Sequence, residues 1–182
     1  MDDDAVIAAT RAWLEKAVIG LNLCPFAKAV YVKNQVRIVV SHAPHLDALL
    51  EDLDRELDLL AAADPDEIDT TLLVHPTLLA DFLDFNDFMQ IAEAAVGEHG
   101  LEGVLQIASF HPRFQFEGTA PDDIGNYTNR APYPTLHLIR EASIVRAVDA
   151  VPDPESIYTR NIETLERLGH AGWAALWDKS EK

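Results

Sequence analysis

The sequence predicts an α/β fold. The expected core is a small, mostly parallel sheet of three or four strands in β-α-β-α-β order, flanked by helices, with a further helix at each end. Two observations carry this expectation. Short runs of apolar and β-branched residues stand at 36–41, 70–75 and 104–110, and prolines close the last two at Pro76 and Pro112. Between them lie two segments with apolar residues at helical spacing. Strands that alternate with helices are usually parallel neighbours joined by crossovers.

The elements follow in order. Residues 4–21 read as an amphipathic helix, with Val6, Trp13, Leu14, Ala17, Val18 and Leu21 on one face and aspartates at the positive end of its dipole. Gly20, Asn22 and Pro25 stop it. Residues 45–63 carry a leucine stripe (Leu46, Leu49, Leu50, Leu53, Leu57 and Leu60), and 85–98 turn Phe88, Met89, Ile91, Ala92, Ala95 and Val96 inward. Phe114 and Phe116 alternate with Arg113 and Gln115, which suggests a short fourth strand at 113–116. Residues 134–148 begin ambiguously, because Thr135-Leu136-His137-Leu138-Ile139 reads equally as extended chain. Pro134 suits a first helical turn, so a helix is expected there. Asp153-Pro154 then caps a helix to Leu168, and 173–177 form a terminal turn.

The 182 residues suit one domain, 1–182, with 48% apolar and 25% charged side chains as in ordinary soluble proteins. The chain lacks the run of about 18 apolar residues that a membrane span needs, and Asp2-Asp3-Asp4 is the wrong charge for a targeting peptide. A single cysteine excludes an internal disulfide and a thiolate zinc cluster. A cytoplasmic protein is expected.

A net charge of −17 disfavours nucleic acid and anionic membrane as partners, and leaves a protein partner open. The charge is uneven. Residues 42–102 hold 16 acidic side chains against Arg55 alone, whereas 103–146 hold four acids and four arginines. Three of those arginines (Arg113, Arg130 and Arg140) fall in the chemically densest stretch, 109–141. A long, proline-rich, polar connection rich in aromatics is more often functional than disordered.

Within that stretch, His111 follows a strand directly, where ligands of parallel sheets bind, and suits acid–base work. His75 holds the matching place on the preceding strand. On a helix, His137, Arg140 and Glu141 would share one flank, with Glu141 orienting the imidazole and Arg140 binding an anion; a surface ion pair is the plainer alternative. Arg130 beside Asn126 and Asn129 suits recognition of a carboxylate or phosphate, with Arg113 as a further donor. Cys24 ends the first helix, so it reads as a buried inert thiol or, with Lys28 nearby, a reactive one. Metal-ligand spacing, glycine-rich phosphate loops and GxSxG elbows are missing. Only the distant set His75, His111 and His137 offers metal ligands, and the cofactor is unknown.

Four segments resemble the mainly bacterial family catalogued as domain of unknown function 1415. They are Val18-Ile19-Gly20-Leu21-Asn22-Leu23-Cys24-Pro25-Phe26-Ala27, Phe110-His111-Pro112, Phe114-Gln115-Phe116-Glu117-Gly118, and Asn129-Arg130-Ala131-Pro132-Tyr133-Pro134 with Leu136-His137-Leu138-Ile139-Arg140-Glu141. The resemblance implies a single compact domain and leaves function open. The family has serine where this chain has Ala131, which argues against a serine nucleophile there.

Three expectations stand side by side. In the first, an enzyme acts on a small anionic molecule, with Arg130, Arg140 and Arg113 binding it and His111 or His137 moving a proton. In the second, a module binds a small molecule or a protein partner without chemistry. In the third, the motif-rich stretch is structural and its buried arginines pin a long loop.

Overall fold

The structure is a computed structural model that describes residues 2–149, 153 and 156–178. It forms one sheet of four strands with helices on both faces. Helix α1 (Asp3–Trp13) is capped by the Asp2 carboxylate and runs directly into a π-helical turn, Leu14–Ile19. The short α2 (Ala27–Val32) leads to β1 (Val36–Val40). Helix α3 (Leu46–Ala62), capped by His45, precedes β2 (Thr70–Val74). Helix α4 (Phe82–Glu98), capped by Asp81, precedes β3 (Leu105–Phe110). A 3₁₀ helix (Ile124–Asn129), β4 (Thr135–Arg140), α5 (Glu141–Asp149) and α6 (Ser156–Ala175) follow.

The strand order is β1-β2-β4-β3, and the sheet is mixed rather than mostly parallel. Strands β1 and β2 are parallel, but β4 inserts between β2 and β3 and runs antiparallel to both. The expected helix over 134–148 is therefore a strand followed by a helix. Leu136, Leu138 and Arg140 are buried while His137 and Ile139 point the other way, a period of two that only extended chain provides. The helix begins at Glu141. No strand forms at 113–116; Phe114 and Phe116 instead join an aromatic cluster with Phe82. The last helix continues past Leu168 to Ala175, bent at Gly169, whose φ of 65° suits glycine. Pro154, expected at its cap, lies outside the described residues.

Two apolar layers hold the sheet. On one face the leucine stripe of α3 (Leu49, Leu53, Leu57, Leu60) and Phe85, Phe88 and Ala92 of α4 bury against Leu73, Leu105, Leu136 and Leu138. On the other, Val6, Trp13, Leu14, Ala17 and Val18 cover Leu72 and Val74. This alternation along β2 is what a strand covered on both sides requires. Ala131 is buried in the second layer. The 111–134 connection is clamped by α6. There His170 Nε2 meets the Asp122 carbonyl at 2.8 Å and Trp173 packs edge-on against Tyr127.

Candidate functional site

The two His-Pro motifs use the same device. His75 Nε2 lies 3.0 Å from the Ala43 carbonyl, and its Nδ1 accepts from the Leu78 N–H at 2.7 Å. His111 Nε2 lies 2.9 Å from the Leu79 carbonyl, and its Nδ1 accepts from the Arg113 N–H at 3.0 Å. In each case the carbonyl lies 32 residues earlier, in the loop that leads to the preceding helix. Both ring nitrogens are thus engaged, Nε2–H donating. Burial holds both pKa values below the ordinary range, so both rings are neutral. Leu79 has a φ of 58°, a strained conformation for leucine. Its carbonyl is the one that His111 grips.

The arginines and asparagines of the motif-rich stretch also face the backbone. Arg140, buried on the α3 side, donates to the Ala63 and Ile68 carbonyls at 2.8 and 2.9 Å. Arg130 donates to the carbonyls of Phe114 and Pro121 and stacks 4.1 Å over the Tyr127 ring. Arg113 reaches the Ala80 carbonyl and lies 3.5 Å from Asp81. Asn126 is fully buried; it accepts from Phe116 N–H and Thr119 O–H and donates to Ala120. Asn129 donates to the Ser109 carbonyl. Three guanidinium groups are held by three different segments.

His137 and Arg140 do not share a helical flank, because strand geometry sends them to opposite faces of the sheet. Glu141 heads α5 with its N–H on the Val104 carbonyl, and among the described residues it forms no hydrogen bond to His137. Among the described residues, no three His, Cys, Asp or Glu side chains gather as a metal site needs. No described helix is long and apolar enough to cross a membrane.

What the structure brings together is a cavity of about 950 Å³ on the face of the sheet away from α3 and α4. Trp13, Leu14, Val18 and Ile19, together with Cys24, Pro25, Phe26, Val30 and Tyr31, form one wall. The floor is Val36, Thr70, Leu72, Phe110, His137 and Ile139, and Ile144 and Ala147 of α5 close the far side. Lys33, Asp64, Asp66, Asp69 and Arg146 mark the rim. Two candidates named from sequence, Cys24 and His137, therefore line one space. The residues that sequence reasoning passed over are Thr70 and the apolar wall. The available signal was the alternation of Thr70, Leu72 and Val74 on one face of β2, which shows which side chains share a surface.

Two features build this space. The π turn places Leu14 and Val18 over the sheet, and such turns recur at functional sites. Helix α5 buries none of its residues fully, so Ile144 and Ala147 face open volume rather than core. At the floor, Thr70 Oγ1 lies 2.7 Å from His137 Nε2 and 2.7 Å from the Leu138 carbonyl. Burial pushes the His137 pKa down to about 4, so the ring is neutral at pH 7. At the rim, Ser143 donates to Asp69 at 2.7 Å, and Arg146 lies 3.7 Å from the same carboxylate.

The molecule thus has a mixed four-stranded sheet, helices on both faces and an apolar cavity with a polar pair at its floor. A family profile described as "Protein of unknown function (DUF1415)" matches residues 5–175, and the chain belongs to that family. No curated protein and no solved structure matches it significantly.

Proposed function

We propose that this protein binds a small, largely apolar molecule in the cavity between the π turn, α2, α5 and the sheet. The observation that carries this reading is about 950 Å³ of space walled by apolar side chains, with one convergent polar pair, Thr70 and His137, at its floor. Ligand sites are commonly concavities of this size, apolar apart from a few placed polar groups. An anionic ligand held by arginine has less support, since the guanidinium groups of Arg113, Arg130 and Arg140 already hold backbone carbonyls. A carboxylate or phosphate driven to the floor would lose its hydration beside a neutral imidazole. That the single sheet is covered on both faces supports reading 1–182 as one domain, and composition supports a cytoplasmic setting.

The test is thermal unfolding against a panel of apolar alcohols, phenols and fatty acids alongside phosphates and carboxylates. A ligand at about 100 times its Kd adds about 2.7 kcal/mol of stability. We expect apolar compounds to stabilise the protein and Ala147→Phe, which fills the cavity from a helix with no buried residue, to abolish the effect without unfolding it. Stabilisation by phosphates alone, unaffected by Ala147→Phe, would return the search to the arginines. A second reading, catalysis on the bound molecule, is favoured by the presence of Cys24 and His137 on one cavity. Its test is turnover lost in Cys24→Ser while binding persists.

A further inference from the structure

The hydrogen bonds at the cavity floor fix the tautomer of His137. Thr70 Oγ1 has one proton and two close partners, the Leu138 carbonyl and His137 Nε2, each at 2.7 Å. A carbonyl cannot donate, so the hydroxyl proton points to Leu138 and the ring must supply the proton on the other side. His137 therefore carries its hydrogen on Nε2, and Nδ1 is left as a lone-pair acceptor. The reversed ring orientation would place a carbon 2.7 Å from the hydroxyl oxygen, well inside contact distance. Among the described residues Nδ1 has no hydrogen-bond partner, yet Thr71 Oγ1 is the one side-chain polar atom sealed from solvent without one. Nδ1 is therefore reached from accessible space, and the space that the ring lines is the cavity.

On the reading that the cavity binds an apolar molecule, we propose that the ligand carries a neutral hydroxyl, as in an apolar alcohol or phenol, and donates its proton to Nδ1 of His137. An acceptor on an otherwise apolar floor selects for a donor, because a ligand lacking one leaves Nδ1 stripped of water without a partner. It also selects against an ionised carboxylate, which brings only acceptors. The rim mixes Asp64, Asp66 and Asp69 with Lys33 and Arg146 and places no lone cation near the floor. The ring stays neutral at pH 7, so the acceptor is present whenever the ligand is.

The test is a matched series, 4-propylphenol, 4-propylanisole and propylbenzene, titrated into the wild type and into His137→Phe by tryptophan fluorescence, with Trp13 on the cavity wall as reporter. We expect the phenol to bind roughly tenfold tighter than the anisole in the wild type. That preference should vanish in His137→Phe, and the ¹⁵N resonance of His137 Nδ1 in the wild type should shift on addition of phenol alone. If His137→Phe does not fold, the wild-type series and the ¹⁵N shift decide the matter. Equal binding of all three compounds overturns the hydroxyl preference and leaves the apolar cavity reading standing. No binding by any of them overturns both.

Discussion

Three histidines are held neutral by burial, which outweighs the backbone hydrogen bonds that raise the pKa of His75 and His111. His75 and His111 use Nε2–H and Nδ1 to tie a strand end to the loop before a helix, and His137 donates to Thr70 while facing the cavity. Their folded pKa values lie below the unfolded value of about 6.5. The unfolded chain therefore binds more protons, and the stability these groups contribute is complete above about pH 6.5 and is lost as the pH falls. For His137 the loss runs down to about 4 and amounts to about 3 kcal/mol at most. His99 works the other way: its hydrogen bond to Asp58 raises its pKa, so its support is present below about 6.5 and fades as pH rises. It is near the surface and easily screened. We expect the urea midpoint at fixed ionic strength to fall between pH 7 and pH 5; an unchanged or rising midpoint would contradict the buried neutral rings. The sequence marked His111 and His137 as special but not why. The chemistry of an imidazole depends on partners 32 and 67 residues away, which spacing does not reveal.

At the scale of elements, most of the pattern was legible. The leucine stripe of α3 begins one residue after His45, which caps it, and β1, β2 and β3 stand where their apolar runs predicted. The exception is β4. Pro134 suits a helix start and Ile139 breaks a polar–apolar alternation, but in the structure Leu136 and Leu138 face one side of the sheet and His137 and Ile139 the other. Because β4 enters between β2 and β3 and runs antiparallel to both, the sheet is mixed and His137 and Arg140 face opposite sides of it. The π turn was illegible for another reason: its sequence is that of an ordinary amphipathic helix. Gly20 is its one trace, since a Cβ there would collide with the Lys16 carbonyl oxygen. Gly20→Ala should therefore force the turn to rearrange and cost about 2 kcal/mol, in the range of overpacking changes. It should also weaken ligand binding, because Leu14 and Val18 line the cavity. Urea unfolding with the ligand titration checks both; unchanged stability and affinity would show that the turn does not shape the site.

For the whole molecule, the two faces of the sheet differ in kind. One is filled by α3 and α4 with fully buried leucine and phenylalanine, as a core must be. The other is filled only in part, by α1 and the π turn, and opens towards α2 and α5 into the cavity. Composition and charge place the chain among ordinary acidic globular proteins and say nothing of this asymmetry, because it depends on which helix covers which half of the sheet. The central claim is that the open half is the binding site and the motif-rich 111–134 connection is scaffold. The most direct measurement is NMR shift mapping with 4-propylphenol, and separately with inorganic phosphate. The account predicts phenol-induced shifts concentrated at Val18, Leu72, Ile139 and Ile144, with none at Arg113 or Arg130. Shifts from phosphate at those arginines, with a silent cavity, would contradict it.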